Sequence, residues 1–488
     1  MTGSALLGLV MLIVMIGAIF IGFPISFTLL FLALAFGYVG LGETTVFNLA
    51  YFQTIGMMKE ELLAAVPLFI FMGFMTEQAG LMERLFNAFR MLLAPIRGAL
   101  FLVVILTATV FAMATGIVGA AVTVLGIMAA PIMIKTGYDA KLAAGAITAG
   151  GTLGILIPPS VMLIVMGPVL GVSVADLYAA AFGPGFLLAG LYLTYLMARS
   201  FLNPKLGPPV PMEERVHSFP MLIKEVVAGV LPLIGLIAAT LGTILAGLAT
   251  PTEASGMGAA GALLLAVAYG RFTLAGLKRA LLSTMSTSSM VLFLAVTSNV
   301  FGAVFARLGT ANWITETLLA LPLPPTAMLL MVVVLLFLLG WPFEWPAIIL
   351  VFLPIFYPVV KALNFDLVWF GALVAVVLQT AFLSPPVAMS AYYLKQVVKD
   401  WSLSTIYKGM FEFMILQVIA IALIIIFPQI ATYLPETLQE ANRNIKVQQV
   451  DDDAESLEKD SMESMQEQSD REGTSGESER AAPEDAKK

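Results

Sequence analysis

Gly150-Gly151-Thr152-Leu153-Gly154-Ile155-Leu156-Ile157-Pro158-Pro159-Ser160 ends an apolar, glycine-rich run on two consecutive prolines. The device returns 227 residues later in Gln379-Thr380-Ala381-Phe382-Leu383-Ser384-Pro385-Pro386-Val387. Proline removes an amide donor and clashes with the preceding turn, so each pair predicts a broken helix with freed carbonyls. The interval is general. Pro24 pairs with Pro251, Pro95 with Pro322, Pro131 with Pro358, Pro208 with Pro435, and Asp139 with Asp366. The chain therefore reads as two copies of one unit. Helices broken at matched positions of two halves point to a transport site.

Composition says where these units reside. Of 488 residues, 59% are apolar and 12% charged, and the mean hydropathy is +0.95. Apolar runs of about 20 residues, the length that crosses ~30 Å of hydrocarbon, recur throughout. The class is an all-α polytopic membrane protein. Residues 5–20 lack a basic leader and a clear cleavage site, and read as the first helix. With no cysteine and one histidine, His217, thiol chemistry, histidine metal sites and catalytic triads are excluded. Gly145–Gly154 lacks a Walker lysine, so ATP binding is not indicated.

The net charge of −7 is set by the end of the chain. Residues 451–488 hold 14 of the 32 acidic and 5 of the 25 basic residues, leaving 20 basic against 18 acidic elsewhere, a net of +2. Residues 441–488 are too polar to bury a core and read as a disordered acidic tail, either simply solvated or docking a partner.

The first copy spans 1–211, a connector 212–227, and the second copy 228–440. Each copy predicts the same order. A helix pair comes first (5–20 with 25–41; 223–248 with 254–269). An amphipathic stretch follows (44–58; 272–285), then one apolar helix (62–78; 289–306) and a second amphipathic stretch (81–93; 310–321). These stretches read as interfacial helices, or as helix ends. Next come about 33 apolar residues, 101–133 and 327–360. They are interrupted at Ala114-Thr115-Gly116-Ile117-Val118-Gly119 and at Gly340-Trp341-Pro342-Phe343-Glu344-Trp345-Pro346. A straight helix of that length would reach ~50 Å, too long for a bilayer. Two re-entrant hairpins are predicted instead, tolerated at depth only beside protein or water. The broken helices follow. Each copy closes on Ser173-Val174-Ala175-Asp176-Leu177-Tyr178 or Ser402-Leu403-Ser404-Thr405-Ile406-Tyr407.

Basic residues cluster near 84–97, 135–141, 199–224, 271–279 and 395–399. The positive-inside rule makes these loops cytoplasmic. The hairpins then open from opposite sides, giving two inverted repeats with both termini outside.

Gly22-Phe23-Pro24-Ile25, Ala65-Val66-Pro67-Leu68-Phe69-Ile70, Gly150–Ser160 and Thr250-Pro251-Thr252-Glu253-Ala254 resemble the large membrane subunit of tripartite ATP-independent periplasmic (TRAP) transporters. The resemblance covers about 1–435. It implies an elevator-type ion-transporter fold in the bacterial inner membrane. It further implies sodium coupling, an organic-acid substrate, an extracytoplasmic substrate-binding protein and a small four-helix membrane subunit. Nucleic acid has no place in that scheme. The first tip departs from the Gly-Ser-Ser-like pattern of many members. Two hydroxyls are missing, and a less polar tip fits a smaller or less charged acid, such as a 2-oxo acid rather than a dicarboxylate.

Freed carbonyls and hydroxyls at a half-helix end suit a dehydrated cation, and exposed amides at the next half-helix suit an anion. Gly116, Gly151, Thr152 and Pro158 are assigned to one sodium site, and Gly340, Thr380, Ser384 and Pro385 to the other. Thr115, Gly116, Gly154, Trp341, Glu344 and Ser384 are expected to face substrate. A carboxylate at membrane depth is costly and by default functional, unless the Glu344 tip is shallow and wet. Thr250-Pro251-Thr252-Glu253 satisfies a capping box, which competes with a substrate or gating role for Glu253. Rival readings are a stand-alone sodium-coupled carboxylate carrier, a channel, and an intramembrane enzyme. The last lacks converging nucleophiles or paired acid and histidine ligands.

Overall fold

The computed structural model describes residues 3–209, 219–385, 388–441 and 443, and every regular element among them is a helix. Among the described residues, eight helices are long and apolar enough to cross a membrane. The chain is a polytopic membrane protein. Its first compact unit runs to Pro435. Of the second, residues 436–441 are helical, and the acidic tail lies outside the described residues.

The first half opens with α1 (Gly3–Ile21), α2 (Ile25–Leu41) and α3 (Glu43–Met58), with Pro24 and Gly42 at the boundaries. A 3-10 turn (Glu61–Ala64) leads into α4 (Ala65–Gln78), followed by α5 (Leu81–Leu93). The first hairpin is α6 (Ala99–Thr115) and α7 (Val118–Lys135). The broken helix is α8 (Ala140–Leu156) and α9 (Val161–Leu170), bent by 44°. Then comes α10 (Val174–Leu202).

The second half starts with α11 (Phe219–Ile237), a π turn (Ala238–Gly242) and α12 (Thr243–Leu245). This helix begins inside the stretch expected as connector; residues 210–218, with His217, lie outside the described residues. There follow α13 (Pro251–Ala268), α14 (Leu274–Arg307) and α15 (Thr310–Leu319). The second hairpin comprises α16 (Pro325–Leu339), α17 (Trp345–Ala347), a π turn (Ile348–Phe352) and α18 (Leu353–Ala362). The second broken helix is α19 (Leu367–Thr380) and α20 (Met389–Val397), and α21 (Leu403–Ile426) follows.

Repeat-matched residues cap matched helices. Asp139 accepts from the Lys141 and Leu142 amides at the start of α8, and Asp366 from the Trp369 amide at the start of α19. Ser173 and Ser402 cap α10 and α21. The capping box forms: the Glu253 amide donates to Thr250 Oγ1 at 3.2 Å, and the Thr250 amide to Glu253 Oε2 at 2.8 Å. Glu253 is therefore part of a helix cap, and the Thr250–Glu253 pair satisfies two otherwise orphaned donors.

Two expectations fail. Residues 272–285 and 289–306 are not separate pieces but one continuous helix of 34 residues, α14. The first copy breaks here because Glu60 is extended and Pro67 follows two residues into α4. At the interval of 227, Leu294 stands where Pro67 would be, so nothing stops the second helix. Residues 44–58 are also not amphipathic. Only Val46 of α3 is buried, while Phe47, Tyr51 and Phe52 are exposed. By contrast α5 is two-faced, burying Leu81, Met82, Leu85, Phe86 and Ala88 with Glu83 and Asn87 outward.

Close approach of α8 to α21 depends on two glycines. A Cβ on Gly145 would lie 2.8 Å from the Gly409 carbonyl oxygen, and a Cβ on Gly409 would lie 3.0 Å from the Gly145 amide. Small residues substitute for a hydrophobic driving force that lipid cannot supply.

Candidate substrate and ion site

The first break begins at Ile157, which is extended, and ends at Ser160, also extended. The Pro158–Pro159 bond is cis. Ser160 Oγ donates to the freed carbonyl of Ile155 at 2.5 Å. The fully buried Tyr178 of α10 donates to the Ser160 carbonyl at 3.5 Å.

The tip of the first hairpin packs on this break. Gly116 ends α6 in the left-handed region, at φ 61. A Cβ there would be 3.1 Å from the Pro159 carbonyl oxygen and 3.8 Å from that of Gly154. Glycine is required both by the backbone and by the space. Taken together, α8 and α9 are long and apolar enough to form one broken span, and the bend lies between them. The tip presses against this break, while one arm of each hairpin, residues 118–135 and 345–362, is by itself long and apolar enough to count as a span.

The second hairpin tip, residues 340–344, lies against the second break. A Cβ on Gly340 would meet the Ala381 Cβ at 2.8 Å. Glu344 caps α17 without donating or accepting a side-chain cap bond. Both tips and both breaks open on one cavity of about 350 Å3. Gly116–Gly119 and Ile155 line it from the first copy, and Gly340, Phe343, Glu344, Trp345 and Phe382 from the second. Glu344 is the only charged side chain on its wall among the described residues. Tyr393 of α20 closes the wall between the copies: its ring lies 3.1 Å from where a Gly119 Cβ would sit, within electrostatic reach of Glu344.

The other expected residues divide by what their groups already do. Thr115 Oγ1 donates to Phe111 O at 3.1 Å and Thr380 Oγ1 to Val377 O at 2.5 Å, so both hydroxyls are bound within their own helices. Thr152 Oγ1 donates to Ala149 O at 2.7 Å and accepts from Gln379 Nε2 at 2.9 Å. Gly151 faces α7, where a Cβ would be 3.0 Å from the Val122 amide; its role in the structure is close packing. Gly154 stands behind the tip, facing the Ile117 amide at 3.7 Å from its would-be Cβ. Pro158 is buried and Pro385 exposed; Pro386 lies outside the described residues. Ser384 differs from the other hydroxyls: its Oγ is buried with no hydrogen-bond partner among the described residues, as is that of nearby Ser390.

Trp341 is not brought to the cavity. It is 37% exposed and packs edge-on against Phe337, with ring centroids 5.9 Å apart. Trp345 takes the place on the wall. Tyr393, Ser390 and Thr287 escaped the sequence reading. Thr287 had a signal, the hydroxyl run Ser286-Thr287-Ser288-Ser289 within an otherwise apolar helix.

Paired helix breaks meeting two hairpin tips on one shared cavity, in a chain of apolar spanning-length helices, define a membrane transport protein. The family model of the tripartite ATP-independent periplasmic transporter, DctM component, matches residues 10–430, and the chain belongs to that family. It is 31% identical over 423 residues to the sialic acid TRAP transporter large permease protein SiaM of Vibrio cholerae, covering 86% of this chain and 96% of the relative. It is 29% identical over 434 residues to the C4-dicarboxylate TRAP transporter large permease protein DctM of Rhodobacter capsulatus, covering 86% and 96%. It is 28% identical to the 2,3-diketo-L-gulonate large permease YiaN of Escherichia coli over 395 residues, covering 79% and 89%. Among solved structures, the Alcanivorax borkumensis YdaH transporter, described as having an unusual topology, shares the fold. Its TM-score is 0.56 at 16% identity, covering 79% of this chain and 88% of that one.

Proposed function

We propose that this chain is the translocation subunit of a binding-protein-dependent, sodium-coupled importer of small organic acids, of the dicarboxylate or 2-oxo acid class. It works in the bacterial inner membrane with a small four-helix membrane subunit and an extracytoplasmic binding protein. The observation that carries the proposal is the single cavity bounded by both tips and both breaks. The cargoes named for the three relatives are all carboxylic acids, and one with a single carboxylate suits the apolar first tip.

Charge balance argues for the ion. An organic anion entering this cavity meets Glu344 and no cationic side chain among the described lining residues. Uncompensated charge of one sign at membrane depth is costly. Sodium supplies the missing positive charge. At the first site the Pro159 and Gly154 carbonyls converge on Gly116, and a Cβ would fill that cradle. Gly151, Thr152 and Pro158 set its backbone. At the second, Ser384 Oγ offers a buried oxygen with no other partner; Gly340, Thr380 and Pro385 shape the backbone around it. Hairpins and broken helices move together as the carrier part of an elevator, and the remaining helices form the static frame.

The test is uptake of labelled carboxylates into proteoliposomes holding this chain with its four-helix subunit and binding protein, with and without an inward sodium gradient. Gradient-driven uptake is expected. Sodium-independent uptake would overturn the coupling. Uptake by the chain alone would assign it to the stand-alone carboxylate carriers.

A further inference from the structure

Thr152 on α8, Tyr192 on α10, Gln379 on α19 and Gln417 on α21 are all fully buried. They form one polar node inside an otherwise apolar bundle. Gln379 Nε2 donates to Thr152 Oγ1 at 2.9 Å, and that hydroxyl spends its own proton on Ala149 O. The Tyr192 hydroxyl lies beside Thr152 and the Gln417 amide. Tyr192 Oη, Gln379 Oε1 and both polar atoms of Gln417 nevertheless have no hydrogen-bond partner of normal geometry among the described residues. Phe413 packs edge-on to Tyr192 at 5.2 Å and holds the ring in place.

Buried polar groups are costly without partners, and an inventory of four such atoms in one place calls for a ligand. The inventory selects its chemistry. Tyr192 Oη–H and Gln417 Nε2 are donors, while Gln379 Oε1 is an acceptor. An alkali cation would use the oxygens but face the amide N–H groups of both glutamines. A water molecule accepts two hydrogen bonds and donates two, so it matches donors and acceptors together, with the roughly three partners usual for internal water.

We propose that Tyr192, Gln379 and Gln417 hold one internal water beside Thr152. It accepts from Tyr192 and Gln417 and donates to Gln379 Oε1. Through it the first halves of both broken helices, α8 and α19, are tied to each other and to α10 and α21. The node is built from side chains, including the Thr152 hydroxyl; the sodium reading uses only the Thr152 backbone.

Two measurements test it on the full assembly in lipid nanodiscs. The first is a cryo-electron microscopy map fine enough to show ordered water, recorded in sodium and in choline medium. A peak within about 2.7–3.2 Å of Gln379 Oε1 and of Tyr192 Oη or Gln417 Nε2, present in both media, is expected. A node closed by direct Gln379–Gln417 or Tyr192–Gln417 bonds without a peak would overturn the proposal. A peak that vanishes in choline would assign a cation and overturn it as well. The second is thermal unfolding of Gln379→Leu, Gln417→Leu and the double variant. Acting through one shared water, the two changes lower the melting temperature together by less than the sum of their separate effects. Additive losses would count against the water.

Discussion

Thr152 and Gln379 stand 227 residues apart in the chain, the interval of the duplication, and 2.9 Å apart in space. Equivalent positions of the two copies thus touch, and they do so with different side chains. Thr152 keeps its proton on Ala149 O and can only accept, so the donor has to come from the other copy. Thr152→Val removes that acceptor and strands the buried Gln379 amide. A loss of about 1–3 kcal/mol is expected, read as a lower unfolding temperature of the purified protein. Adding Gln379→Leu to Thr152→Val should return part of the loss, because a matched apolar pair costs less than one orphaned partner.

Gly116→Ala tests the first tip. A left-handed residue with a side chain costs about 1–2 kcal/mol, and the new methyl would press on the Pro159 carbonyl. Gly171→Ala is the control. Gly171 is also left-handed, at φ 66, yet a Cβ there meets nothing within 4 Å. Both variants should lose stability, Gly116→Ala the more because its methyl also meets the Pro159 carbonyl. Uptake should fall at least tenfold for Gly116→Ala and stay near normal for Gly171→Ala.

Ser384→Ala separates folding from ion binding. Its hydroxyl is buried without a partner, so removal should leave the unfolding temperature unchanged or slightly raised. The sodium concentration for half-maximal uptake should rise several-fold. A fall in stability with an unchanged sodium dependence would show that Ser384 is structural.

The two tryptophans flanking Glu344 should behave differently. Trp345→Ala enlarges the cavity and should raise the substrate concentration for half-maximal uptake. Trp341→Ala, on a residue that packs against Phe337, should leave it unchanged. Glu344→Gln should cut uptake strongly at normal expression, measured in the same reconstituted vesicles.

What the sequence disclosed was local chemistry. The double proline marks a break wherever it sits; Asp139, Asp366, Ser173 and Ser402 stood out only as matched positions, and the structure adds that each starts a helix by capping amides two or three residues on. Pairing across space was less visible. Trp341 and Trp345 are equivalent by composition, and only the backbone path from Gly340 to Glu344 decides which one reaches the cavity. Tyr393 arrives from a helix whose placement follows the break, so no neighbour in sequence betrays it. The fused α14 was missed for the opposite reason: the first copy has Pro67, and the missing proline at Leu294 is a silence that the repeat argument overrode. Thr152 and Gln379 were both on view, and their contact follows once equivalent positions are allowed to meet.

The unlike connections at this point of the two copies have a mechanical consequence. At 34 residues, α14 is a strut of about 51 Å without a joint. Its first-copy counterpart is cut between Met58 and Ala65 by an extended Glu60 and a 3-10 turn. A load passed between the copies meets a stiff rod on one side and an elbow on the other. In the elevator motion proposed above, the hairpins would swing about the elbow with the rod as the fixed reference, so the two halves would move unequally.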